Sequence, residues 1–565
     1  MKVRHILVAF ATFVSALNIA SAQDLDPTVV INKAYTGKLI EVHKPSFEMS
    51  VPDSLTSFEL DFDYSVFDQP YKVAGSFTPY ILTMKPSPKL VESQKLYLEA
   101  GAGYTLHPTL DLVWSPLRSD ILKMDVYAVH RSFVGNYYTF NPSLPEDGTL
   151  KIKKDSGAEP WRGYDLMSKA GVDGRIELPS FSAGFDVSYY GLASKDQYKK
   201  RMYDALDAKM GLASKPKNGS YFSYDVVAGY RFGRVLESDR MTEQLIDLDA
   251  HFGQVMSWGH QILFDVDTDV ALYSGAAGGQ ISFVPHYLLK MGRWTVDAGF
   301  RISAILRPKN SEGLFATRGQ VAYPEIKAYY SVIQDAMRAY AHITGGNKVN
   351  TYASILERNH LVGALGVNDV TVERVSATLG VEGRIGPDFT YDVRGGYACY
   401  GNELFDMISF YSDDQLPAGG RYVSSFGYSP YQKLFVAMDW LLDLDFLQCD
   451  GNVQYQHVWG MKNADGLFAP AALTGDINCE YNWKKRIFAG VDCQFATARK
   501  GSIVGYYEDV QIPGYVDLGV NFEYVVSRVL SVWARGGNLL NMAIQRNPLY
   551  AQKGASATVG ICLNL

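Results

Sequence analysis

Thr474-Gly475-Asp476-Ile477-Asn478-Cys479-Glu480-Tyr481-Asn482-Trp483-Lys484 decides the fold class. Thr474, Asp476, Asn478, Glu480, Asn482 and Lys484 share one parity; Ile477, Cys479, Tyr481 and Trp483 share the other. Side chains of an extended chain alternate between two faces, so this is a strand with one polar and one apolar face. The same period runs through Phe181–Tyr189, Phe222–Phe232, Ile262–Leu272, Arg293–Ser303, Phe389–Cys399, Tyr515–Tyr524 and Val559–Leu565. Lys199–Leu212 is open to two readings, because Tyr203, Leu206 and Met210 have helical spacing; we take it as a strand.

The length of the alternation separates two all-β classes. Sandwich strands average about 5–6 residues. Here the alternation lasts about 10–13 residues, enough to cross a bilayer at a tilt. Tyr, Phe and Trp gather near the segment ends, as an interfacial girdle requires. A sheet in lipid must pair every backbone group, so it closes into a barrel, apolar parity towards lipid and polar parity towards the lumen. Tight connections such as Pro179–Ser180, Lys290–Arg293, Gln334–Ala336 and Lys484–Arg486 alternate with long ones such as Gly346–Asp369, Asn402–Pro430, Lys500–Ile512 and Leu539–Gly554. Short turns at one rim and long loops at the other are the habit of outer-membrane barrels, and the turn count gives about 22 antiparallel strands.

The 565 residues are 47% hydrophobic and 20% charged, which excludes a disordered chain. The net charge of −7 and the lack of a basic stripe argue against a nucleic-acid partner. Lys2, Arg4 and His5, the apolar run Ile6–Ile19 and Ala20-Ser21-Ala22 read as a secretory signal cleaved between Ala22 and Gln23. The expected organisation is a signal peptide over 1–22, an extended N-terminal segment over 23–94 and a barrel over 95–565. The first strand is expected at Lys95–Tyr104. Localisation in a Gram-negative outer membrane follows, with outer-membrane lipid as the first partner.

Residues that could carry chemistry are few. HExxH, GxSxG, a phosphate-binding loop and metal-spaced Cys/His sets are all missing, so neither an enzyme nor a cofactor is expected. Cys399, Cys449, Cys479 and Cys493 sit at lipid-facing parity and are expected to stay unpaired. Asp413-Asp414 with Asn402 and Glu403 is read as a solvated acidic loop, with Ca²⁺ binding as the lesser alternative. Asp53-Ser54-Leu55 looks like an O-glycosylation sequon and equally like a plain turn. The best candidate site is an acidic wall. Asp247 and Asp249 share lumenal parity on one strand, Asp265, Asp267 and Asp269 share it on the next, and a tight turn joins the two. Five neighbouring carboxylates need partners or water. Arg231, Arg293 and Arg301 are the expected ion-pair partners; the alternative is a cation-preferring wall.

The C-terminal run Trp533-Ala534-Arg535-Gly536-Gly537-Asn538-Leu539-Leu540-Asn541, with Tyr550, Gly554 and a final alternating strand, resembles the end of TonB-dependent receptor barrels. Phe283-Val284-Pro285-His286-Tyr287, Gly292-Arg293-Trp294, Gly345-Gly346-Asn347-Lys348-Val349-Asn350-Thr351-Tyr352 and Asp392-Val393-Arg394-Gly395-Gly396-Tyr397 are similar to a Bacteroidetes group of such receptor-like barrels. The resemblance implies a 22-stranded barrel, solute uptake and a plug ahead of the barrel. Gln23–Gln94 is too short for the full plug and is expected to be a partial plug or a periplasmic arm. Thr28-Val29-Val30-Ile31 is a candidate TonB-box-like strand, with ordinary extended chain as the plainer reading. TonB, or a periplasmic or surface lipoprotein, is the expected protein partner. Solute uptake or a pore is the first functional reading. A structural or assembly component, its barrel occluded by its own N-terminal segment or by a partner, is the alternative.

Overall fold

The structure is a computed structural model that describes residues 95–104, 107–138, 160–195, 200–217, 219–236, 241–256, 259–273, 276–307, 317, 319–362, 368–411, 421–462, 466–503, 507–551 and 554–565. The expected signal peptide, its cleavage point at Ala22 and Gln23, the N-terminal segment 23–94 with Thr28, Val29, Val30 and Ile31, Asp53-Ser54-Leu55, and Asp413-Asp414 all lie outside these residues.

Among the described residues, twenty-four strands follow in chain order. They are β1 (Leu96–Gly103), β2 (Thr109–Arg118), β3 (Leu122–Tyr138), β4 (Pro160–Glu177), β5 (Phe181–Lys195), β6 (Lys200–Ser214), β7 (Tyr221–Val235) and β8 (Thr242–Val255). Next come β9 (Gln261–Tyr273), β10 (Ala276–Met291), β11 (Trp294–Leu306), β12 (Ala322–Ile333), β13 (Met337–Val349), β14 (Val370–Ile385), β15 (Phe389–Tyr411) and β16 (Arg421–Asp443). The last are β17 (Leu447–Trp459), β18 (Leu473–Trp483), β19 (Ile487–Ala496), β20 (Arg499–Ile503), β21 (Tyr507–Ile512), β22 (Tyr515–Val525), β23 (Leu530–Gly537) and β24 (Ser556–Asn564). Among the described residues one helix, α1 (Tyr352–Arg358), stands between β13 and β14.

All strands except β20 and β21 form one 22-stranded sheet, every neighbouring pair antiparallel. Pairing of β1 with β24 closes the ring, and the amides of Lys95 and Leu96 both donate to the Leu565 carbonyl at the seam. The seam is tight. A Cβ on Gly560 would stand 2.3 Å from both the Trp533 ring and the Ala100 carbonyl, so only glycine lets β24 lie this close. The chain is therefore a transmembrane antiparallel β-barrel, as the alternation requires.

The open segment Lys199–Leu212 resolves as β6. Its odd positions Arg201, Tyr203, Ala205 and Asp207 are buried, whereas Leu206 and Met210 are exposed to lipid. The outer face is predominantly apolar: Leu379 is 68% exposed, and Phe222, Phe300, Leu434 and Val436 are exposed as well. Trp114, Trp294, Phe446 and Trp483 ring the short-turn rim, where amphipathic rings favour the interface. Two-residue turns such as Gly292-Arg293 hold this rim together; Gly292 adopts φ 58°, the left-handed geometry that tight hairpins demand.

The long-loop end departs from expectation. Asn402–Pro430 is not a loop: β15 runs to Tyr411 and β16 starts at Arg421, both reaching well past their neighbours. Asn402 and Glu403 lie buried within β15, so no acidic loop is assembled from them. Lys500–Ile512 folds as the hairpin β20–β21. Two cysteines also differ. Cys449 and Cys479 face each other across β17 and β18, with Cα atoms 4.1 Å apart, and are joined as a disulfide. Parity alone could not reveal that their positions oppose each other directly. Cys399, Cys493 and Cys562 are free.

Candidate functional site

The inner wall of β8 and β9 reads as a ladder of paired residues. From the long-loop mouth downward, the lumenal pairs are Glu243 with Tyr273, Leu245 with Ala271, Asp247 with Asp269, Asp249 with Asp267, and His251 with Asp265. Each step is two residues, roughly 6.8 Å of strand. The five aspartates are thus brought together. Neighbouring strands supply partners: Asp267 receives Arg301 Nη1 at 2.5 Å and the Ser282 hydroxyl at 3.1 Å, and Asp269 receives Gln280 Nε2 at 2.7 Å.

Two of the three expected arginines are elsewhere. Arg231 pairs with Asp207 and reaches Glu357 at 3.4 Å. Arg293 sits in its turn and donates to the Val332 carbonyl at 3.4 Å. Both share lumenal parity, but Arg231, one step above Asp247 on the neighbouring β7, is taken by Asp207 and Glu357, and Arg293 lies in the β10–β11 turn at the rim. The overlooked partners are histidines. His251 lies 2.8 Å from Asp265; His286 lies 3.3 Å from Asp265 and 2.7 Å from Asp297. An alternating chain His251–Asp265–His286–Asp297 thus runs across four strands below the arginine-paired step. Among the described residues no group of three or more His, Cys, Asp or Glu is arranged to hold a metal ion.

Above the acids the wall changes character. At lumenal parity near the mouth stand Tyr190, Leu192, Tyr203, Ala205 and Val235, all nearly fully buried. They form a seat for a segment that enters from between β13 and β14. That segment begins with Thr351, whose side chain accepts the Ser354 amide and caps α1. Tyr352, Ala353, Ile355 and Leu356 then turn onto the seat, each no more than 2% exposed. Burying Ile355 and Leu356 stabilises the docking by roughly 1.5–3 kcal/mol each.

The strap crosses the lumen. It leaves the ring between the thirteenth and fourteenth strands and packs against β5 to β8, with β15 and β16 (Leu404, Phe426) on its other side. Glu243, fully buried, ties down its start: one carboxylate accepts the amides of Tyr352 (2.8 Å) and Ala353 (3.1 Å) and the hydroxyls of Tyr273 (2.8 Å) and Tyr203 (3.2 Å). The far end is held by His360 Nδ1, 2.7 Å from Asp165, and by the Ser194 hydroxyl, which donates to the His360 carbonyl at 2.6 Å. Asn359 Nδ2 donates to Ser424 Oγ at 3.0 Å. Burial pulls the His360 imidazole pKa down, but the Asp165 carboxylate outweighs it and holds that pKa above its usual value.

Described parts of other loops and strand ends pack against the end of the strap. Leu361 joins Phe133, Ile408, Phe468, Ile503, Val510, Ile512, Leu549 and Tyr550 in a second apolar core drawn from separate loops and strand ends. Asp406 is its polar hub, receiving Arg499 Nη1 at 2.6 Å and Arg358 Nη2 at 3.4 Å. Arg499 also donates to the carbonyls of Gln545 and Arg546, tying in the last loop. The strap and cap were missed from sequence. The available signal was a break in alternation: apolar residues such as Tyr190, Leu192 and Val235 occupy lumenal parity only near the mouth.

No protein-family model matches the chain, and no curated protein matches it in sequence. Solved structures do match by fold. A mutant of the ferric enterobactin receptor from Pseudomonas aeruginosa, in complex with enterobactin, superposes with a TM-score of 0.58 at 11% identity, over 83% of this chain and 81% of that one. The siderophore receptor PirA from Acinetobacter baumannii gives 0.59 at 10% identity over 83% and 80%. The copper transporter OprC gives 0.57 at 10% identity over 84% and 83%. At these identities the likeness is one of fold: the barrel is built like those of large outer-membrane receptors and transporters.

Proposed function

We propose that the chain is a solute-uptake barrel of a Gram-negative outer membrane and that a cationic solute is drawn along the acidic ladder of β8 and β9. The observation that carries this reading is the stacking of Asp247/Asp269 and Asp249/Asp267 as facing pairs on the lumenal wall. Focused negative potential of this kind raises the local concentration of cations. Its fold likeness to siderophore receptors and a copper transporter supports uptake over a purely structural role. Export through the signal at Ala22–Gln23 belongs to the same proposal. So does an N-terminal segment acting from the short-turn side as partial plug or periplasmic arm, with Thr28, Val29, Val30 and Ile31 meeting TonB or a lipoprotein. The seam favours that side, because Lys95 enters the barrel beside Leu565 at the short-turn rim.

The test is accumulation by intact cells. Cells with the chain should take up some members of a panel of cationic solutes, supplied at limiting concentration, faster than cells without it. Asp265→Asn, Asp267→Asn and Asp269→Asn combined should remove most of that advantage. Equal accumulation with and without the chain across the panel would discard uptake. The assembly reading, which the loop-built cap also suits as a platform, would then stand.

A further inference from the structure

The start of the strap is held by the same two strands that carry the acidic ladder. Glu243 and Tyr273, which hold the start of α1, are the top lumenal pair of β8 and β9; Asp247 and Asp269 are the third. About 14 Å of strand separates latch from acids. The strap is thus seated on the long-loop side of the aspartates, above the same two strands. We propose that Tyr352–Val362 is a gate, closed in this structure, that shuts the long-loop mouth over the acidic ladder, with Glu243 as its latch.

The way the segment is seated argues for a gate with a defined closed state. A loop that merely leaned inward would present polar side chains to a polar wall. This one buries Tyr352, Ala353, Ile355 and Leu356 in an apolar seat built for them on the opposite wall. Its backbone ends are satisfied by single side chains rather than by a sheet: Glu243 takes the first amides of α1, and Ser194 takes the His360 carbonyl. These contacts are side-chain bonds that break without unzipping any barrel strand. The segment also lies beyond the end of a ladder that stays intact when it moves, since β13 and β14 pair directly from Val349–Val370 to Met337–Gly383. The gate is therefore hinged on a continuous wall and latched to the wall across from it. Closure of this kind does not depend on which solute passes, or on whether any does.

The experiment reads closure and not transport. Lys209 is exposed to the lumen on β6, below the seat and outside the acidic ladder. Lys209→Cys in the full chain, in intact cells, reports access from outside when a membrane-impermeant maleimide of about 5 kDa is added; this size is chosen to exceed any gap beside a seated strap. With the native strap, the thiol introduced there should label slowly. Leu356→Asp places a charge in the seat, and Glu243→Ala removes the latch; each should speed labelling at least tenfold. Heat-modifiable migration of each variant checks that the barrel has formed, and Glu243→Ala keeps the test alive should Leu356→Asp fail to fold. Rapid labelling behind the native strap would overturn the proposal. So would equally slow labelling in a folded Glu243→Ala variant, because something other than this latch would then close the mouth.

Discussion

The two ends of the lumen solve the same problem in opposite ways. Towards the short-turn rim the inner wall is polar, and its charges are neutralised across strands: Arg131 with Asp111, Arg535 with Glu99, Arg301 with Asp267, Arg394 with Asp439. Towards the long-loop mouth the same parity turns apolar, and the wall is covered by a docked segment and a cap of loops. The lower region is held by pairs within the barrel wall; the upper one is held by contacts between loops and wall. The lower region should therefore fail only with the barrel, whereas the upper one can open while the barrel stays closed on itself.

The largest separation of the two should come from Glu243→Ala. Four donors lose one acceptor, and each buried donor left unmade costs about 1–3 kcal/mol. Amides of α1 should exchange with solvent at least 100-fold faster, while those of β8 and β9 below Asp247 keep their protection. Asp249→Ala is the control from the other region. It removes a carboxylate facing Asp267 and should leave exchange in α1 unchanged. Accelerated exchange in both places would mean that strap and ladder form one cooperative unit, and the comparison would collapse.

Arg301→Ala attacks the lower region. It takes the guanidinium from Asp267, which then faces Asp249 without it. A half-buried carboxylate left without its cation costs about 1–3 kcal/mol, read as a lower temperature of heat modification. Exchange in α1 should not move. Arg301→Lys should recover part of the loss, because the charge returns without the second contact to Glu325.

The barrel was legible in sequence because lipid enforces one rule over every strand. Thr474–Lys484 and Trp294–Ile302 state it without exception, and the segment with helical spacing is likewise a strand, β6, whose Leu206 and Met210 face outward. The acidic wall was legible for the same reason: once parity and a tight turn are known, Asp247, Asp249, Asp265, Asp267 and Asp269 must neighbour one another. Their partners were not. Arg231 and Arg293 have the right parity, but the partners that meet Asp265 are set by strand offset, which brings His286 of β10 to it instead. The strap lay beyond reach because nothing local in Tyr352–Val362 says which wall it meets. Its partners Asp165, Ser194, Tyr203 and Glu243 are more than a hundred residues away, and only closure of the ring brings them within contact.

A smaller effect is expected from pH, and in the upper region it runs through His360. The His360 pKa is raised in the folded chain, against the pull of burial, by Asp165 and more weakly by Glu357. A raised histidine stabilises the folded arrangement fully below its unfolded pKa of about 6.5. That contribution fades as pH climbs through the higher folded value. Protection of the strap amides should therefore decline as pH rises from about 6.5 upward, and His360→Gln should flatten the profile at its weak end. A strap that tightened with rising pH would show that the imidazole is held neutral against Asp165.

The smallest effect should follow reduction of the disulfide between Cys449 and Cys479, and its smallness is informative. The two residues oppose each other on β17 and β18, whose backbones already pair from Leu447–Tyr481 to Tyr455–Leu473. Both lie at the parity of Tyr455 and Tyr481, which are exposed on the outer face. The bond therefore fastens two strands that the ladder already holds, on the side of the wall away from strap and acids. Alkylation of the denatured chain without reductant should modify Cys399, Cys493 and Cys562 only, and reductant should free two more thiols; labelling of all five at the outset would remove the bond. In the folded barrel, reduction should leave both strap exchange and heat modification close to native. If reduction loosened the strap, the outer face of β17 and β18 would be coupled to the mouth, and the division of the lumen into a wall-held and a loop-held region would have to be redrawn around that hairpin.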